Sequence, residues 1–106
     1  MKYLVLAYGS AKDWQQLTTA EQDALLAQDT VLRERGDTVA AVQEEVVTLR
    51  AWDGHPHLST GPVAASPVPL AGFGIIEAND LKEAVELLKD TPCARARGAI
   101  ELHPIR

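Results

Sequence analysis

Glu101 and His103 stand two residues apart in the last apolar stretch of the chain, Gly98 to His103, where Ile100 and Leu102 alternate with them. Residues at i and i+2 of an extended strand share a face. The carboxylate and the imidazole therefore emerge together, and Ile100 and Leu102 point the other way, toward packed helices. A histidine beside a carboxylate can move a proton or hold an anionic ligand. Arg50, with Thr48, lies on a comparable face of another strand, and a guanidinium brought to the pair would stabilise developing negative charge. His103, Glu101 and Arg50 are thus the candidate catalytic set. The same groups also read as an interface network that satisfies its own charges.

Other chemistry-bearing residues form looser patterns. His55 and His57 share a strand face and could bind a metal, but only Asp53 stands near them as a third ligand, so they read as a solvated hairpin tip and no metal is expected. Cys93, the one cysteine, excludes an internal disulfide and fits a reducing compartment. It follows Pro92 with no histidine nearby in sequence, which reads as an inert, partly buried thiol. Gly72-Phe73-Gly74 lacks the lysine and helix N-terminus of a phosphate loop. Tyr8 and Trp14 either line a pocket mouth or pack at an interface.

A single domain of 106 residues carries these groups. Apolar residues make up 46% and charged ones 24%, a globular balance, and the net charge of −5 argues against a nucleic-acid partner. Arg95 and Arg97 are the nearest approach to a basic cluster. The apolar run from Met1 to Tyr8 is too short for a signal peptide or membrane span, so a cytoplasmic, membrane-free protein is expected.

Residues 2 to 8 predict a strand with both faces apolar, followed by a loop to Leu17. Thr18 and Glu21 match a capping box that opens a helix to about Arg35, with Ala24, Leu25, Val31 and Leu32 as its buried stripe and Gly36 as its stop. Asp23, Gln28, Arg33 and Glu34 fall on its solvated side. Strands are expected over Thr38–Val42 and Glu45–Trp52, with a type I′ turn at Asp53-Gly54 and a return over His55–Ser59. The stretch Thr60–Phe73 holds three of the six prolines and reads as a functional or interaction-bearing loop. Leu70–Ala78 is the next strand. Its Gly72 and Gly74 leave room on one face for a packed helix, a partner or a ligand. Asp80 caps a second helix with the stripe Leu81, Ala84, Val85 and Leu88, ending before Pro92.

The order β-α-β-β-β-β-α-β predicts an α+β fold, a ferredoxin-like antiparallel sheet with two helices on one face. Tyr3, Val5 and Trp52 are assigned to the uncovered face. A twofold-related copy would bury it, giving a homodimer.

The opening Met-Lys-Tyr-Leu-Val-Leu, the first-loop tryptophan and capped helix, Thr60-Gly61-Pro62 followed by Leu70-Ala71-Gly72-Phe73, the helix beginning near Asn79-Asp80-Leu81, and the final Ile100-Glu101-Leu102-His103-Pro104-Ile105 resemble the YCII-related proteins, in particular the branch named for an Asp-Gly-Pro-Phe motif. The resemblance covers essentially the whole chain and implies a dimeric α+β barrel, two ferredoxin-like sheets face to face. Members of the family have been put forward as enzymes on the strength of a His-Asp pair in a cleft; related proteins include a ring-dehalogenating one, and the motif branch is often encoded beside extracytoplasmic-function sigma factors. Here Thr60 and Val63 replace the motif's aspartate and phenylalanine, and Ala65, Ser66 and Pro67 replace acidic, threonine and lysine positions. Most of the loop's ionisable groups are gone.

The resulting expectation is a homodimer that binds a small organic molecule, or another protein, without robust catalysis and without a cofactor. Tyr8, Trp14 and Phe73, with Thr60, Gly61 and Pro62 of the loop, are its candidate ligand-binding residues. The alternative is a cofactor-free enzyme of proton-transfer or lyase type on a small aromatic or polyketide-like substrate, with His103 as acid or base, Glu101 orienting it and Arg50 stabilising charge.

Overall fold

The first strand, Lys2–Tyr8 (β1), has apolar residues on both sides, so it belongs at the middle of a sheet. The computed structural model of the chain, which describes all residues 1–106, places it there. After β1 come α1 (Ala11–Gln15), α2 (Thr19–Glu34), β2 (Thr38–Ala41), β3 (Val47–Arg50), β4 (His57–Thr60), β5 (Leu70–Glu77), α3 (Leu81–Leu88), α4 (Pro92–Arg95) and β6 (Ala99–Pro104). The fold is α+β. A four-stranded antiparallel sheet has the order β2-β5-β1-β6, and β3 and β4 form a separate two-stranded sheet.

The helix signals in the sequence act as expected. Thr18 accepts from the Glu21 N–H while the Glu21 carboxylate accepts from the Thr18 N–H, closing the capping box of α2. Gly36 takes a φ of 96° just past the helix end, a conformation side chains disfavour. Asp80 caps α3 by accepting from the Glu83 N–H. Two short helices were not expected: Ser10 accepts from the Asp13 N–H and turns the first loop into α1, and Pro92 opens α4 rather than only ending α3.

One face of the sheet lies under the helices. Tyr3, Val5 and Ile76 from the strands meet Leu32 of α2 with Ala84 and Leu88 of α3 in a single buried cluster, and Ile100 and Leu102 pack against it. This corrects the assignment of Tyr3 and Val5, which are 3% and 5% exposed beneath the helices. A strand apolar on both sides leaves the choice of face open, and only its register decides. Tyr3 pairs with Ile76 and Val5 with Gly74, so Leu4 and Leu6 take the helix-free side. Within α2, Leu32 is buried and Leu25 half-buried, but Ala24 and Val31 are exposed. Gln28, expected in solvent, is half-buried and its Nε2 donates to the Leu87 carbonyl of α3 at 2.8 Å.

The space left by Gly72 and Gly74 is taken by a neighbouring strand rather than by a ligand. A Cβ at Gly72 would lie 2.7 Å from the Ala40 carbonyl oxygen, and one at Gly74 2.8 Å from that of Thr38. These two glycines let β2 pair with β5.

The β3–β4 hairpin stands away from the body. The chain measures 48 × 34 × 20 Å with a radius of gyration of 15.5 Å, against about 13 Å for a compact chain of this length. The expected type I′ turn is replaced by a longer connection, Ala51–Pro56, in which Gly54 alone has positive φ (84°). Trp52 lies in this connection, 92% exposed, and not on the sheet face to which the sequence assigned it. No helix is long and apolar enough to cross a membrane.

Candidate functional site

The alternation of β6 sets the site. Ile100 and Leu102 turn to the helices, which drives Glu101 and His103 out of the opposite face, where His103 Nε2 lies 2.6 Å from Glu101 Oε1. Both side chains are 52% exposed. The register of β1 gives them neighbours: His103 is opposite Leu4 and Glu101 opposite Leu6. On the far side of β1, Leu4 faces Ile75 and Leu6 faces Phe73. The pair therefore borders an apolar floor formed by Leu4, Leu6, Phe73 and Ile75, with no helix above it. An imidazole–carboxylate pair on such a floor can hydrogen-bond a polar group of a flat apolar molecule, or exchange a proton with it.

Of the candidate ligand-binding residues, Phe73 belongs to this floor. Tyr8 lies on the same face, opposite Ala99 at the end of β1. The Gly9 N–H donates to the Pro69 carbonyl, which ties the proline-rich loop to that end of the strand. Trp14 is half-buried on α1, and its carbonyl accepts from Gln22 Nε2. Thr60, Gly61 and Pro62 lie at the base of the hairpin. There the Gly61 N–H donates to Val46 O at 2.8 Å and Thr48 Oγ1 donates to Gly61 O at 2.7 Å. The site is thus split: the sheet brings Phe73 and Tyr8 to the Glu101–His103 face, and the Gly61 bonds close the base of the hairpin.

Arg50 does not join the pair within one chain. It sits on β3 opposite His57, and with Trp52, Asp53 and His57 lines a cleft of about 320 Å³. Thr48 is buried and committed to the Gly61 carbonyl. The separation follows from the hairpin forming its own sheet, which sequence alone did not reveal because β3 and β4 carry ordinary strand patterns.

The hairpin tip holds a second histidine–carboxylate pair. His57 Nε2 is 3.0 Å from Asp53 Oδ2, and the His55 backbone N–H donates to Asp53 Oδ1. The His57 hydrogen bond, aided by that amide, holds the Asp53 carboxyl below its ordinary range. No group of three or more His, Cys, Asp or Glu is arranged to hold a metal ion. Cys93 is half-buried, and burial pushes its thiol upward, with the Asp29 charge adding to the shift.

Leu4, Leu6 and Ile75, absent from the sequence-derived site, are three of the four residues of the floor. Pairing β1 with both β5 and β6 in register would have found them, since Ile75 and His103 flank Leu4.

A family model of the YCII-related domain matches residues 1–106, the full length of the chain. The chain belongs to the YCII-related family. No curated protein matches this YCII-related chain by sequence. Among solved structures it is similar to 5-chloro-2-hydroxyhydroquinone dehydrochlorinase from Burkholderia phenoliruptrix AC1100, determined in complex with 2,5-dihydroxybenzoquinone. The two share 18% identity over 100% of this chain and 94% of the other, with a TM-score of 0.51. At that identity the likeness is one of fold.

Proposed function

We propose that this YCII-related protein is a homodimer of the dimeric α+β barrel type, in which two ferredoxin-like sheets face one another and enclose a small organic ligand. The observation that carries the reading is the Glu101–His103 pair bordering the helix-free apolar floor. A monomer would leave that face wet, whereas a twofold-related copy buries it and turns the floor into a cavity wall. Thr60-Gly61-Pro62-Val63 is then a degenerate form of the branch motif, which anchors the hairpin in place of supplying acid–base groups. The same reading places the protein in the cytoplasm, where the Cys93 thiol stays reduced.

The fit is to a flat ring bearing acidic or hydrogen-bonding oxygens: apolar faces for the floor, polar edge for the pair. The dihydroxyquinone carried by the dehydrochlorinase has this chemistry and makes a suitable probe. Binding without turnover is the primary reading. A second reading is supported by the 2.6 Å contact itself, because a carboxylate that orients an imidazole is what a proton-transfer enzyme needs.

Titration with 2,5-dihydroxybenzoquinone by calorimetry, native mass spectrometry of the purified protein and incubation with a chlorinated hydroquinone together test both. Saturable binding to a dimer, lost in His103→Ala and unaccompanied by change in the probe, supports the binding reading. Conversion of a chlorinated hydroquinone that depends on His103 supports the enzyme. A dimer that neither retains nor binds a small molecule overturns the ligand reading and leaves a protein-partner role, and a monomer removes the cavity altogether.

A further inference from the structure

The β3–β4 hairpin has an apolar face that its own chain leaves bare. Val47, Leu49 and Leu58 point to one side of it, as the pairings Val47↔Thr60 and Leu49↔Leu58 require, and are 64%, 61% and 70% exposed. An isolated two-stranded hairpin is marginal in water unless something covers it. The main sheet has the complementary deficiency, a helix-free face with Phe73 and Ile75 exposed.

We propose that the hairpin is an arm that lies on a second copy of this chain, its Val47, Leu49 and Leu58 covering the rim of that copy's helix-free face, so that each cavity is closed by the other protomer. The inference rests on the homodimer reading. A twofold axis exchanges two arms at once, the closed arrangement expected of identical chains. Charge favours the same occupant. Residues 46–61 hold one arginine, Arg50, and one aspartate, Asp53, so they are neutral, and the net charge of −5 falls entirely on the rest of the molecule. Two acidic bodies repel, and a neutral arm carrying His55, His57 and Arg50 is the part that can approach a second body without that repulsion. Arg50 forms no ion pair in its own chain.

The test compares the full-length protein with Leu49→Arg, Leu58→Arg and the control Val31→Arg, whose exposed apolar site lies on α2. Sedimentation gives the dimer dissociation constant, and hydrogen exchange reports the arm and core amides separately. Burying one leucine is worth about tenfold in affinity or more. The expected result is a dimer whose dissociation constant rises at least that much in Leu49→Arg and Leu58→Arg, with arm amides losing protection, core amides keeping it, and Val31→Arg matching wild type. An equally tight dimer in all four proteins overturns the arm and leaves the homodimer standing. A wild-type monomer overturns both, and weakening by Val31→Arg to the same degree shows a general charge effect and overturns the arm.

Discussion

His103 Nε2 sits 2.6 Å from Glu101 Oε1 on one face of β6, and Leu4 and Leu6 of β1 lie directly opposite the two residues. The pair is short, charge-assisted when the imidazole is protonated, and open to solvent. It therefore contributes little to folding and is available to a ligand. Glu101→Gln is expected to leave the unfolding free energy within about 0.5 kcal/mol of wild type while weakening binding of an acidic ring compound by roughly tenfold. Urea unfolding and calorimetry on the same sample separate the two. A large loss of stability would make the pair structural.

Leu32 is 1% exposed where α2 meets the sheet and α3. Leu32→Ala is expected to cost about 2–5 kcal/mol by removing buried methyl groups and leaving a cavity. Leu26→Ala, an exposed position on the same helix, should change stability by less than about 0.5 kcal/mol. Paired urea titrations give both numbers.

Gly72→Val tests the closeness of β2 and β5. The added Cβ meets the Ala40 carbonyl at 2.7 Å, backbone that cannot yield as a flexible side chain would. The expected outcome is loss of hydrogen-exchange protection in Thr38–Ala41 with retention of the β1–β6 amides. Unchanged β2 protection would show that the strand can shift aside.

Asp29 gives a pH signature. Burial between α2 and its neighbours raises its carboxyl pKa, partly offset by Arg33. With the folded pKa above the unfolded value, the folded state binds more protons between the two. Stability is thus lost as pH rises from the ordinary aspartate range through the folded pKa, and the penalty persists above it. Asp29→Asn is expected to melt higher than wild type at neutral pH and to converge with it below about pH 4. Thermal melts at a series of pH values check it, and a constant difference at every pH would assign the effect to packing.

Thr18→Ala removes the side-chain oxygen that accepts from the Glu21 N–H and leaves only the return bond from the residue-18 backbone N–H to the Glu21 carboxylate. A loss of about 1 kcal/mol is expected, read by urea unfolding.

The capping residues Thr18 and Asp80, the stop at Gly36 and the alternation of β6 were legible in the chain, because each depends on residues within a turn or two of one another, and the family was legible in short motifs spread along it. The pairing of Glu101 with His103 needed only the two-residue period of a strand. Tertiary structure alone decided what long-range register controls. It put Tyr3 and Val5 under the helices and Leu4 and Leu6 on the open face, since a strand apolar on both sides carries no local instruction for which side is inward. It also filled the room beside Gly72 and Gly74 with β2, and it set β3 and β4 in a sheet of their own, so that Arg50 stands apart from the pair its strand pattern had joined it to.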